Sequence, residues 1–306
     1  MLTQILGKVQ HYDWGKVDEG FVYTIEKSNN SSLEKNTKYA EYWMGTHKNG
    51  CSTLLNGSLL SDKVDLPFLF KILSVNKALS IQAHPDKILA EKLHLKDPTN
   101  YKDDNHKPEM CICLSDSFEA LSGFCSDQKF NENLHQLPEF HSFIGNGSFK
   151  DQFKVLMNCK KQDIENQITI VKTKPKTPLI ELILTLNVAY PNDVGVFCPV
   201  FMNYVKLTKY QALFMAANEP HAYLKGCCVE CMANSDNVVR AGLTPKFRDV
   251  NNLIDMLTYK RYEIEELLVH PVKNGDIMHY KSPVKEFDVY KIESNSQGTI
   301  NSFSLI

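Results

Sequence analysis

The sequence predicts a mainly β protein with an α-helical insertion, its strands arranged as a sandwich or jelly-roll barrel. Three observations carry that expectation. Short aliphatic, aromatic and β-branched runs recur from about 19 to 84 and from about 180 to 290, separated by Asn, Gly, Ser and Pro. Few helical signals intervene within either region, which disfavours a parallel α/β sheet. A more polar stretch over roughly 126–170 carries helical spacing instead.

Along the chain, "FVYTI" (21–25), "LPFLFKIL" (66–73), "ALSIQAH" (78–84) and "PEMCICL" (108–114) read as strands. "PDKILAEKLH" (85–94) opens on Pro85 and Asp86, a helix start, and continues with helically spaced apolar residues. The polar helical region holds a looser insert, "IGNGSFKD" (144–151). Strands are expected again at "LILTLNV" (182–188), "VGVFCPV" (194–200), "QALFMAA" (211–217), "VECMA" (229–233) and "EFDVYKI" (286–292). "NLIDMLTY" (252–259), after Asp249, reads as a short helix. No internal repeat or low-complexity tract interrupts the pattern.

The totals narrow the function classes. A chain of 306 residues, 43% hydrophobic, can bury a substantial core as one large domain or two. A net charge of −2 without a long basic run argues against a nucleic-acid partner. No apolar stretch approaches the roughly 20 residues that a membrane helix needs. The N-terminus lacks the charged and apolar regions of a secretory signal. Nine cysteines, an odd number without scaffold spacing, read as reduced thiols in the cytosol. A cytoplasmic protein is expected.

Three constellations could carry chemistry. In "LSIQAHP", alternation puts Ser80, Gln82 and His84 on one strand face and Leu79, Ile81 and Ala83 on the other. "NHKPEM" presents Lys107 and Glu109 on a shared face, and "PHAY" offers His221 and Tyr223. Two imidazoles, a carboxylate and an amide oxygen suit Zn²⁺, and inward residues of different strands converge inside a barrel. The long separations make this a weak signal, and a buried polar pair held by backbone groups is the plain alternative. Residues 228–247 concentrate Glu230, Asp236, Arg240 and Lys246 around a Gly-Leu-Thr-Pro turn. That set reads either as a solvated hairpin or as a phosphate site, where Arg can bind bidentately. Cys228-x-x-Cys231 lacks a second such pair and reads as strand packing, while His47 and His106 read as structural or loop residues.

The blocks "YAEYWMGTH", "LPFLFKILSVNKALSIQAHP", "AEKLHL", "NHKPEM" and "PHAYLKGCCVECMANSDNVVRAGLTPKF" resemble the type I phosphomannose isomerases, in order from about residue 10 to 290. The resemblance implies a zinc-containing cupin catalytic domain over 1–124 and 185–260, with a helical insertion over 125–184. It further implies the start of a shortened second cupin-like region over 261–306, and a helical segment shorter than in eukaryotic members. It places one Zn²⁺ on Gln82, His84, Glu109 and His221. The family's active-site arginine falls on Arg240, with Glu230 and Lys107 as candidate proton-transfer groups. Ser80, Lys71, Lys246, Tyr223 and Asp236 fall on other pocket positions, of which Ser80, Lys71 and Lys246 are assigned to the phosphate.

The implied reaction is the interconversion of mannose 6-phosphate and fructose 6-phosphate through an enediol-type proton transfer. A small sugar phosphate is then the expected partner. The chain is expected to be monomeric, with exposed strand edges able to associate. Two rivals have distinct signatures: an inactive metal-binding module that binds sugar phosphates, and an iron oxygenase. The second would favour a two-His-one-carboxylate triad with open positions, which Gln82 and the lysines fit poorly.

Overall fold

The structure, a computed structural model, describes residues 3–30 and 32–293. Nine strands position the site: β1 (Glu41–Gly45), β2 (Phe68–Val75), β3 (Ile81–Ala83), β4 (Glu109–Cys113), β5 (Phe118–Cys125), β6 (Met202–Leu207), β7 (Ala212–Met215), β8 (His221–Ala233) and β9 (Val239–Gly242). They form two antiparallel layers, in the orders β1-β2-β8-β4-β7 and β6-β5-β8-β3-β9. The fold is mainly β with a helical insertion, as the strand-rich pattern predicts.

β8 belongs to both layers. Its first half pairs with β5 and β3, its second with β2 and β4. The change of layer occurs beside an irregularity in register, where Glu119 faces Lys225 but Ala120 faces Tyr223. Gly226 follows with φ at +114°, and a Cβ there would lie 2.6 Å from the Ser117 carbonyl oxygen. Only glycine accepts both the dihedral and the close approach. Bends of this kind let one strand turn a corner between packed sheets.

Among the described residues a short helical turn at Ile264–Leu267 and eight longer helices accompany the strands: α1 (Gly20–Asn29), α2 (Lys87–Lys96), α3 (Asp127–Gln136), α4 (Pro138–Ile144), α5 (Phe149–Asn158), α6 (Lys161–Val171), α7 (Pro178–Ala189) and α8 (Val250–Met256). The starts are written in local chemistry. Asp86 caps α2 by accepting from the Leu89 N–H at 2.9 Å, and Asp249 caps α8 by accepting from Asn252. Ser148 and Asp151 form a capping box at α5. Each cap contributes about 1 kcal/mol.

Three expected strands are not strands. "FVYTI" lies in α1, where the fully buried Val22 packs with Tyr39 and Tyr42. "LILTLNV" lies in α7, started by the Thr177 cap and Pro178. There Ile180, Ile183 and Leu186 are buried at helical spacing. "VGVFCPV" is a 3₁₀ segment, Val194–Val200, buried throughout. Short apolar runs are shared by strands and helices, so composition alone misassigns them.

The block α3–α7 packs on one face of the β3–β9 pair. Ile81, Ala83, Val239 and Ala241 join Phe130, Phe140, Phe153, Phe197 and Phe201 in a single core. Alternation then turns Gln82 and Arg240 to the opposite face. At the C-terminal side, Val272–Asn274, Ile277–Tyr280 and Val289–Ile292 form a three-stranded sheet. Its Tyr280, Phe287 and Val289 pack on Met110, Ile112 and Ala212. The region expected over 261–306 reaches past this sheet, and 294–306 lie outside the described residues.

Candidate metal centre and substrate cavity

The register of the strands assembles the site. Gln82 on β3 lies directly opposite His221 on β8 and Arg240 on β9, so the three share a face. Glu109 on β4 lies opposite Met232 further along β8. His84 follows the last residue of β3 and is fully buried. The His84 Nε2 is 3.3 Å from Glu109 Oε1, and the His221 Nε2 is 3.2 Å from Glu109 Oε2. Ligand atoms of these three residues lie within 4.8 Å of one another.

The electrostatics prepare them for a cation. His84 Nδ1 is 2.7 Å from the Asn237 carbonyl oxygen, which can only accept, so Nδ1 carries the proton and Nε2 offers its lone pair. Burial pushes the His84 pKa down to about 4, against the pull of Glu109, leaving a neutral imidazole. For Glu109 burial opposes charge. Lys107, with its ammonium 2.7 Å from Oε1, nevertheless holds the carboxyl well below the usual range. The two Nε2 atoms and Glu109 Oε2 are buried without a hydrogen-bond partner. Orphaned acceptors at this density are costly unless a cation satisfies them. The neutral N and anionic O donors fit a zinc-type ion.

An outer layer fixes the first. Asp103 accepts from the Ser235 hydroxyl and the Asp236 N–H at 2.7 Å each, and its backbone oxygen accepts from the Asn237 amide at 2.6 Å. Asn237 is fully buried and supplies the carbonyl that orients His84. Ligand-orienting groups of this kind hold an imidazole in one tautomer.

A cavity of about 530 Å³ adjoins the cluster, and Gln82, Glu109, Lys107, Ser80, Lys71, Tyr223, Glu230, Asp236, Arg240 and Lys246 line it. All twelve residues singled out in the sequence are therefore at the cavity or in the cluster beside it. β8 and β9 do not pair with each other, so residues 228–247 are not a solvated hairpin. The Gln82 amide makes no hydrogen bond among the described residues and stands opposite His221.

Lys71 differs from the expected phosphate ligand. It faces Glu230 across the β2–β8 pair, with its ammonium 2.8 Å from Glu230 Oε2 and 3.6 Å from Glu41 Oε2. Burial lowers its pKa, but the two carboxylates more than reverse that and keep it charged. The ammonium also stands 5.1 Å from the Trp43 ring centroid. Arg240, by contrast, has no carboxylate partner among the described residues. Asp236 accepts from Asn49 at 2.9 Å and lies 3.3 Å from His47 Nε2.

Glu41, Trp43, Lys77 and Tyr190 also line the cavity without having been singled out. Glu41 and Trp43 stand at alternate positions within "YAEYWMGTH", the signal that could have found them. Leu79 was assigned to the face away from the polar set but also lines the cavity, because β3 begins only at Ile81. His47 and His106 are outside the ligand cluster, and His106 pairs with Glu286 at 2.7 Å. Cys228 and Cys231 are buried free thiols within β8.

Comparison with known proteins accords with this geometry. The family model for the catalytic domain of type I phosphomannose isomerase matches residues 2–126, and that for its helical insertion domain matches 127–202. Mannose-6-phosphate isomerase 2 of Arabidopsis thaliana is 39% identical, covering 92% of this chain and 76% of that protein. The mannose-6-phosphate isomerase of Saccharomyces cerevisiae is 38% identical, covering 92% and 80%. A zinc-bound crystal structure of a mannose 6-phosphate isomerase superposes with a TM-score of 0.83 at 30% identity, covering 94% of this chain and 82% of that one. With both family models matched in order over residues 2–202 and relatives 38–39% identical over 92% of its length, the chain belongs to the type I phosphomannose isomerase family.

Proposed function

We propose that this chain interconverts mannose 6-phosphate and fructose 6-phosphate, with one Zn²⁺ per chain held by His84, Glu109, His221 and the Gln82 amide oxygen. The observation that carries the reading is the orphaned His84–Glu109–His221 cluster beside a cavity that also presents an unpaired Arg240. The names of the relatives support the substrate pair. When bound, Zn²⁺ supplies Lewis-acid polarisation of the sugar oxygens.

The protein's own groups do the rest. Moving the carbonyl from C1 to C2 requires removing the C2 proton and returning one to C1, through an enediol-type intermediate. Glu230 is assigned as the proton carrier: it lines the cavity, and Lys71 fixes one of its oxygens. Lys107 is the weaker candidate, since its ammonium is engaged by Glu109. Arg240 stabilises negative charge as it develops on the sugar oxygens. Lys71 is reassigned from phosphate ligand to positioning residue for Glu230. Ser80 and Lys246 face the phosphate, and Asp236 and Tyr223 complete the walls. Among the described residues no helix is long and apolar enough to cross a membrane. The reading further takes the chain as a monomer working in the cytoplasm.

The test is a coupled isomerase assay with metal analysis on the purified 306-residue chain. About one zinc per chain is expected, with activity lost on chelation and regained when zinc is added back. Full activity in zinc-free protein would overturn the role of the four ligands. A zinc-loaded chain that binds mannose 6-phosphate without turning it over would leave only the binding module.

A further inference from the structure

Resting on the isomerase reading, we propose that Lys77, seated over the ring of Tyr190, is a principal cation for the substrate's phosphate group. The helical insertion would then build part of the phosphate seat. The argument begins with the cations that line the cavity: Lys71, Lys77, Lys107, Arg240 and Lys246. Lys71 is neutralised by Glu230 and Glu41, and Lys107 by Glu109. Lys77 has no carboxylate partner among the described residues. Asp13, which also lines the cavity, is exposed and pairs with Lys38 at 2.8 Å, and it feels Lys77 only as a weaker, longer-range charge.

Lys77 is nevertheless held in place. Its ammonium lies 4.2 Å from the Tyr190 ring centroid, within cation–π range. Tyr190 caps the C-terminal end of α7, and its hydroxyl donates to the Ala78 carbonyl at 2.6 Å. Cation and platform are therefore tied to the same short stretch of chain. Ser80, three residues on, lines the same cavity. An aromatic ring orients an ammonium without cancelling its charge, so the full charge stays available to a dianion. Lys246 is exposed and lacks such a platform, which gives it the smaller share.

The experiment measures KM for mannose 6-phosphate and, by calorimetry, the Kd for inorganic phosphate. Lys77→Met keeps the aliphatic stem over Tyr190 and removes only the charge. In it both constants should rise by roughly 10- to 100-fold, the range for a lost charged contact, with kcat changing much less. Lys77→Arg should recover most of the affinity, and Tyr190→Leu should raise both constants by a smaller factor. A Kd for phosphate within twofold of the parent in Lys77→Met would overturn the proposal. So would a loss confined to kcat. A parent chain that binds inorganic phosphate but does not isomerise would remove the isomerase reading, and the phosphate Kd of Lys77→Met would still decide the role of Lys77.

Discussion

On the buried side of the cavity every cation has a partner: Lys107 lies 2.7 Å from Glu109, and Lys71 lies 2.8 Å from Glu230. On the accessible side Arg240 and Lys77 are half-buried and Lys246 is exposed, and none has a carboxylate partner among the described residues. The difference follows from solvation. An unpaired ion shut away from water costs several kcal/mol, so the interior tolerates charge only in matched sets. Near solvent the same charge can stay unmatched until an anionic substrate arrives. On the proposed function, the buried charges hold chemical groups in position and the accessible ones are free to meet the ligand.

Substitutions can break or sharpen that division. The largest effect is expected from Arg240→Ala and Glu230→Gln, each lowering kcat by about 10²- to 10⁴-fold while zinc content stays at one per chain. Loss of zinc in either variant would show that the metal cage and the reacting groups are not separable. Next comes Lys71→Met, which leaves Glu41 and Glu230 buried without their shared cation. Breaking such a set destabilises by about 3–5 kcal/mol, read as a lower urea midpoint. An unchanged midpoint would mean that these carboxylates do not need the lysine. The smallest effect is expected for Asp103→Ala, which loosens the Ser235–Asn237 turn behind His84. Metal affinity, measured by competition with a chelator, should fall by about 10- to 100-fold. Parent-like affinity would show that the Asn237 carbonyl is placed by other contacts.

The candidate ligand residues of two segments were legible because they stand where alternation shows them. Gln82 and His84 flank Ala83, and Lys107 and Glu109 flank Pro108, each pair two residues apart. The resemblance then joined segments more than a hundred residues apart, which spacing could not do. What stayed hidden has physical causes. Tyr223 and Glu230 are seven residues apart, so strict alternation puts them on opposite faces, yet both line the cavity. The register irregularity and Gly226 between them invert the pattern. Lys71 carried no sign that its partner is Glu230, 159 residues away in the chain. Lys77 and Tyr190 sit in a loop and at a helix end, where no period marks a functional face. The strand expected at 182–188 became a helix started by the Thr177 cap, and that at 21–25 became one without a side-chain cap, its Val22 buried against Tyr39 and Tyr42.

β8 carries a consequence for how the family's chemistry can vary. One continuous strand bears His221, of the cluster that could hold a metal, and Glu230, the proposed proton carrier, with a single glycine corner between them. The spacing of these two functions is therefore set by a hydrogen-bonded backbone and is insulated from the surrounding loops. Insertions or deletions in the helical block or at the cavity rim leave that spacing unchanged. The reacting centre keeps its dimensions throughout. At Gly226 a side chain would meet the Ser117 carbonyl and strain the backbone, so tolerance to sequence drift should be narrow there.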